Sequence, residues 1–426
     1  MLKFLDLYCG IGGLSFGFAY AFKDAQIFGL DIDEKAVETY NLNLSRFNCK
    51  AEVQDVLEWK PEGHYDIIFG GSPCQPFSVA NTKKKGDKHE LFPTLSRFFD
   101  VVQELKPKAF LLENVKGIVS QKFRPHLELQ LKKVRDTYVL DYKILNSALY
   151  GVPQQRKRFI MIGIRSDLGK RPKFPEETHS EKEGVNVYGN KLERWVTLKE
   201  AIGDLLETTP IIVTRKIKQT AYQNKHPPLS LEKPSRAVSS HFAKTSRDAL
   251  VPIPDHLLLE KGGLVSEKSS WGSRVMELEK PSFTITEKHR SGQLVPISEN
   301  YGTSYKVKLN NYIGNSALNW GVPSFTILGG SGAGGPIPPP HPNTFRRLTV
   351  RECMRIQSFP DWWVFSEDVS VSKKYKLVGE AVPPILAYRL AVALGEVLGL
   401  EVNLNPKKEI WQLPYFEKSF KRVYVN

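Results

Sequence analysis

The chain has 426 residues, 41% hydrophobic and 25% charged, which is the range of a globular protein and excludes a disordered or fibrous one. Four scattered cysteines, Cys9, Cys49, Cys74 and Cys353, make neither a disulfide framework nor a structural zinc site, and no uninterrupted apolar run reaches the roughly 18 residues of a membrane span. Sixty Lys and Arg against 46 Asp and Glu leave a net charge of +14, spread along the chain, which suits a polyanion lying across several segments without establishing one.

Residues 2–8 form a short apolar run that ends in Cys9-Gly10-Ile11-Gly12-Gly13. Runs of the same shape follow at 66–69, 109–112 and 159–164, and each reads as a buried strand of a parallel sheet. Between two of them Leu95, Phe98, Phe99, Val102 and Leu105 recur at helical spacing, which predicts a helix covering one sheet face. Strand and helix alternating over the first 165 residues argue for a doubly wound α/β domain. From about 207 to 343 the alternation gives way to Pro, Gly, Ser and Thr, with three loose copies of a Pro-Ser unit at Pro234, Pro281 and Pro323. That stretch reads as a smaller β-rich domain with a long loop over Gly329 to Pro340. Thr349 to Gln357 is helical in pattern, and Pro384 opens an apolar helix over Ile385 to Leu400.

Ligands of such sheets bind at the carboxyl ends of the strands, where the unusual residues of this chain fall. The glycines after the first strand let backbone approach a ligand closely, and Asp31, about 20 residues on, is placed to hold ribose hydroxyls. Cys74 lies in the polar loop Gly70-Gly71-Ser72-Pro73-Cys74-Gln75-Pro76-Phe77-Ser78, as a nucleophile or as an inert thiol. Glu113 ends the strand at 109–112, where a carboxylate is either paired or poised for acid–base work. Arg156 and Arg158 precede the strand at 159–164, and alternation predicts both on one face, as a clamp for phosphate or a base edge or as a solvated strand start. Lys83, Lys84, Lys85 and Lys88, with Gly86 among them, are a solvated face or a mobile loop contacting phosphates.

Taken together and in this order, these residues resemble the 5-methylcytosine DNA methyltransferases, of the prokaryotic restriction-modification type. The Gly70–Ser78 loop resembles the family's nucleophile loop, Glu113-Asn114-Val115 its carboxylate motif, Gln154-x-Arg156-x-Arg158 its two-arginine motif, and Asp6 to Gly13 its cofactor turn. Arg347 to Pro360 looks like the motif after the recognition domain, and Val378-Gly379-Glu380-Ala381-Val382-Pro383-Pro384 like the last one. Glu380 departs from the pattern, since the family usually has Asn there.

The resemblance implies a Rossmann-like S-adenosylmethionine-dependent methyltransferase sheet with an inserted, smaller β-rich target-recognition domain. It divides the chain into a catalytic and cofactor domain at 1–206, a recognition domain at 207–363 and a returning segment at 364–426. It implies S-adenosylmethionine as cofactor, S-adenosylhomocysteine as product and no metal. Asp6, Tyr8, Gly10, Gly12, Asp31, Ile32, Asp55, Val56, Pro73 and Val382 would then bind the cofactor, while Cys74, Glu113, Arg156 and Arg158 carry the chemistry. Ser78, the four lysines at 83–85 and 88, and Thr326 would meet double-stranded DNA. The expectation is a cytoplasmic, nucleoid-associated monomer, without membrane contact, that protects a short DNA site from a cognate restriction endonuclease. Two rivals share the motifs: a tRNA-methylating enzyme, whose Cys-Phe-Thr signature is missing here, and a non-catalytic DNA-binding regulator.

Overall fold

A computed structural model describes residues 1–73, 92–186, 189–205, 321–327 and 348–420, with two short strands at 211–212 and 251–252. The chain forms two compact units, Met1–Gly203 with Trp320–Ile337 and Val350–Asn426, and Asp204–Asn319 with Pro338–Thr349. The first unit takes in 320–337 and 350–363. Within it Cys353, Ile356 and Phe359 are fully buried.

The first unit is built on β1 (Lys3–Leu7), β2 (Gln26–Asp31), β3 (Cys49–Val53), β4 (Ile67–Gly71), β5 (Ala109–Val115), β6 (Tyr138–Asn146) and, after the two-residue β7 (Gln154–Gln155), β8 (Lys157–Arg165). Seven of these form one sheet in the order β3-β2-β1-β4-β5-β8-β6. Strands β1 to β5 pair in parallel. The run at 159–164 departs from expectation, for β8 is antiparallel to both β5 and β6. The link from β6 to β8, residues 147–156, is too short for the dozen or more residues of a parallel crossover, so the chain turns back on itself. As a result β8 starts at the edge where the parallel strands end.

Helices cover both faces. On one, Leu5, Leu7, Ile68, Phe110, Leu112 and Met161 pack against Leu95, Phe98, Phe99 and Val102 of a helix at Phe92–Leu105, as the spacing predicts. On the other, α1 (Gly13–Ala21) is buried along its whole length, and the ring of Phe18 stacks on Phe69 at 4.1 Å. Burying each such side chain contributes about 1.5–3 kcal/mol. Helix α1 is covered in turn by a long helix at Pro384–Leu398, which opens on its predicted proline. The stretch Val371–Leu398 is apolar enough to cross a membrane, but it is mostly buried in this core and is broken at Ala381–Pro383.

Three short strands, β9 (His179–Ser180), β10 (Gly184–Val185) and β11 (Lys191–Arg194), make a small second sheet. In the second unit the described residues are β12 (Ile211–Ile212) and β13 (Val251–Pro252), an antiparallel pair, with the short stretches 204–205 and 348–349. The remaining β-rich reading, two of the Pro-Ser copies and the Gly329–Pro340 loop lie outside the described residues. The third copy, at Pro323, forms β14 (Ser324–Phe325), which pairs in parallel with β7 in the first unit.

Candidate active site

Five parallel strands and the reversed β8 bring their functional ends to one edge. At the end of β1 the chain enters left-handed backbone at Tyr8 (φ 64°), Gly10 (φ 53°) and Gly12 (φ 90°) before α1 begins. The Gly10 N–H donates to Asp31 Oδ2 at 2.8 Å and the Asp33 N–H to Asp31 Oδ1 at 2.9 Å, so backbone groups of two loops fix that carboxylate. Burial raises the Asp31 pKa, those two hydrogen bonds oppose it, and the Asp33 charge adds to it. Asp33 caps the following helix at Ala36 and pairs with Lys373. Ile32 beside them is exposed at 68%.

The carbonyl of Val382 closes the turn from above. A Cβ on Gly13 would stand 2.1 Å from it, so only glycine lets the returning segment approach this closely. Glu380, two residues earlier, is pushed up to about 7 by burial and by Asp31 and Asp33, against Lys376 and Lys373. Its side chain keeps 45% of its surface open, so solvent screens much of that effect.

Other predicted cofactor residues sit deeper. Asp6 is fully buried, with Oδ2 accepting from Ser15 Oγ at 2.6 Å, and Ser15 Oγ in turn accepts from Tyr40. Burial pushes its carboxyl up to about 8, with Ser15 opposing and Asp31 adding. Asp6 therefore underpins the turn through Ser15 of α1. Tyr8 donates to the carbonyl of Thr94 at 2.7 Å, and burial raises its hydroxyl. Asp55 accepts from the Leu57 N–H at 2.8 Å. The Val56 side chain is in the core, and its carbonyl accepts from Arg97.

On the other half of the edge Glu113 and Arg158 meet, Nε to Oε1 at 2.9 Å, with side chains 9% and 11% exposed. Register explains the contact. Glu113 stands opposite Ile160 and Val115 opposite Arg158, so the pair is a diagonal neighbour across β5 and β8. The other oxygen of Glu113 lies near Gly71, 3.0 Å from where a Cβ there would stand. Asn114 donates to the carbonyl of Ser72 at 3.1 Å and to Ser72 Oγ at 2.9 Å, which pins the strand end just before Cys74. Pro73 follows at the end of the described segment. Cys74, Ser78, Lys83, Lys84, Lys85 and Lys88 lie outside the described residues.

Arg156 does not join Arg158. It is 1% exposed and donates to the carbonyl of Ile327 at 3.1 Å. The chain leaves strand geometry between β7 and β8, which breaks the alternation that predicted a two-guanidinium clamp. Thr326 donates to the carbonyl of Gln155 at 3.0 Å, so the 324–327 segment is tied to β7 at Thr326 and to Arg156, just after it, at Ile327. A buried pair escaped the sequence reading as a contact: Gln154 Nε2 donates to Gln357 Oε1 at 2.6 Å. Both residues stand in quoted motifs, but nothing in the sequence links positions so far apart.

The family model for C-5 cytosine-specific DNA methylases matches residues 2–396. Among similar curated proteins, the Type II methyltransferase M.MthTI of Methanothermobacter thermautotrophicus is 30% identical over 91% of this chain and 94% of its own length. M.FnuDI of Fusobacterium nucleatum, also a Type II methyltransferase, is 30% identical over 98% of this chain and 100% of its own. In fold, the chain is similar to a prophage-encoded DNA modification methyltransferase of E. coli, with a TM-score of 0.57 at 22% identity over 94% of this chain and 100% of that one.

Proposed function

Because the chain belongs to the C-5 cytosine-specific DNA methylase family and is a DNA cytosine-5-methyltransferase of the restriction-modification type, we propose how it works. It transfers a methyl group from S-adenosylmethionine to carbon 5 of a cytosine flipped out of double-stranded DNA, through a covalent adduct of Cys74. The observation that carries this reading is the Glu113–Arg158 pair, next to the strand end that Asn114 anchors just before Cys74.

The residues of the first half suit the cofactor. Apart from its own chain neighbours, no described residue has an atom within 4 Å of where a Cβ on Gly10 would stand, which leaves room for a ligand against the turn. Both Asp31 oxygens are fixed by backbone N–H groups, and each keeps a lone pair for a ribose hydroxyl. Exposed Ile32 offers an apolar surface to the adenine, with Asp55 for its amino group and Val382 above the turn. When bound, S-adenosylmethionine supplies an electrophilic methyl group.

The chain's own residues make carbon 5 reactive. The Cys74 thiolate adds to carbon 6 of the ring, and the electron pair moves to carbon 5, which becomes enamine-like and takes the methyl group. Glu113, oriented by Arg158, stands at ring nitrogen 3 and stabilises the intermediate that carries a proton there, so that the ring does not become an anion when the thiolate adds. A base removes the hydrogen of carbon 5, and the Cys74–carbon 6 bond breaks to release the thiolate. Ser78, Lys83, Lys84, Lys85 and Lys88 would meet the DNA, and the 207–343 segment would read the site. The biological counterpart is a restriction endonuclease of the same specificity.

The test is to express wild type and Cys74→Ser in a host without cytosine methylation and to map 5-methylcytosine in its DNA. Methylation of one short motif, lost in the variant, is the expected result. Unmethylated DNA from soluble, folded wild type would overturn the reading, and 5-methylcytosine in RNA alone would favour the tRNA-methylating rival.

A further inference from the structure

We propose that Gln154 and Gln357 are positioning residues that couple the cofactor turn to the target side of the site. This rests on the S-adenosylmethionine reading above. Both side chains are fully buried. Gln357 follows a helix at Val350–Ile356, and its Nε2 donates to the carbonyls of Val378 at 3.1 Å and Ala381 at 2.6 Å. Carbonyls only accept, so both N–H bonds of this amide point to the returning segment and its oxygen must face the other way. Gln154 Nε2 donates to that oxygen. The polarity of the chain is therefore fixed from end to end.

Each end grips something functional. Ala381 precedes Val382, whose carbonyl rests against Gly13 at the start of α1. Gln154 lies in β7, where it stands opposite Ser324, and it is followed by Gln155 and Arg156, which hold Thr326 and Ile327. Four residues after Gln154 the chain presents Arg158 to Glu113. A shift of the 381–382 backbone on cofactor binding must therefore move or strain Gln357, and through it β7.

The cost of this arrangement is visible. Gln154 Oε1 is buried with no hydrogen-bond partner among the described residues. A buried acceptor left in that state is destabilising, and two apolar side chains would fill the space without it. Stability alone does not account for the pair. A defined link between β7 and the returning 378–382 segment does, because the amides tolerate only one relative placement of their partners.

The experiment measures the Kd of a duplex carrying the mapped methylation motif, with and without S-adenosylhomocysteine, for wild type, Gln154→Leu, Gln357→Leu and the double variant. In wild type the product should tighten DNA binding by about tenfold, and by linkage DNA should tighten its binding equally. In each Leu variant that factor should fall toward one, with the double variant no worse than either single one. Gln154→Glu adds a readout that a merely structural role would not move. A carboxylate cannot donate to Gln357 Oε1, but a carboxylic acid can, so coupling should return as pH falls and the side chain takes a proton. Should the Leu variants not fold, the near-isosteric Gln154→Glu carries the test alone. Undiminished coupling in folded variants, additive losses in the double variant, pH-independent coupling in Gln154→Glu, or no coupling in wild type would each overturn the proposal. Failure of wild type to bind S-adenosylhomocysteine would instead strike the underlying function, and it is seen without any variant.

Discussion

Along one edge of the sheet, β1 and β2 hold their half of the site with backbone, whereas β5 and β8 hold theirs with side chains. On the first half Asp31 is fixed by the N–H groups of Gly10 and Asp33, and the Val382 carbonyl closes against Gly13. On the second, Glu113 is fixed by the Arg158 guanidinium, and the Ser72 strand end by the Asn114 amide. A cofactor of constant shape can be met by backbone that any sequence supplies, provided that glycine keeps the space open. A base that must be recognised and activated needs charge at one point, which only a side chain provides. The two halves should therefore fail in different ways.

The sharpest break is on the target half. Glu113→Gln should lower kcat by about 10²–10⁴-fold while the protein stays folded, because it removes a positioned carboxylate and little packing. Arg158→Ala should match that loss and also destabilise the fold by about 3 kcal/mol, since it leaves Glu113 buried without its partner. Single-turnover methyl transfer and thermal unfolding read the two effects separately. Arg158→Ala with near wild-type rate and Tm would show that the pair is incidental.

On the cofactor half, Asp6 gives a pH signature. Its folded carboxyl titrates at about 8, above the ordinary value of 3.8. The folded state thus holds a proton that the unfolded state releases, so the contribution is complete at low pH and is lost as pH rises toward 8. Asp6→Asn removes that titration. The variant should gain stability relative to wild type between about pH 5 and pH 8, by a few kcal/mol on the linkage relation. Urea unfolding at several pH values tests this, and a stability difference that does not change with pH would refute it. A smaller effect is expected at Gly13→Ala, where the new methyl group meets the Val382 carbonyl and the helix must shift. Overpacking of this kind costs about 1–3 kcal/mol, and the Tm should fall without a change in the pH profile.

The sequence made the framework of the candidate site legible because its charged residues sit in short motifs at strand ends. Glu113 and Asp31 could be placed by noting where apolar runs stop. The helix at Phe92–Leu105 and the one opened by Pro384 followed from spacing and a single proline. What it hid are contacts set by register and direction. The meeting of Glu113 with Arg158 needs β8 reversed, and an apolar run looks alike in either direction. A period of two predicts Arg156 beside Arg158, and it holds only while the strand is unbroken. Asp6 and Val56 stand in the right motifs, yet one lies under the turn and the other faces the core, and motif spacing says nothing of side-chain direction. Gln154 and Gln357 meet only because the chain returns after the insert.

Gly10→Ala separates cofactor space from fold. Gly10 shares with Gly12 a left-handed backbone, which costs a non-glycine residue about 1–2 kcal/mol. Gly13 is crowded by backbone, whereas, its chain neighbours aside, nothing among the described residues stands within 4 Å of a Cβ on Gly10. The substitution should therefore lower stability by only about 1 kcal/mol. If the open space is where the cofactor lies, the same methyl group should raise KM for S-adenosylmethionine well beyond that, with little change in KM for DNA. Gly13→Ala should show the reverse balance, a lower Tm with a smaller change in cofactor KM. Equal effects of both substitutions on Tm and on KM would mean that the turn is held as one rigid piece, and that the backbone half of the site is as dependent on single atoms as the side-chain half.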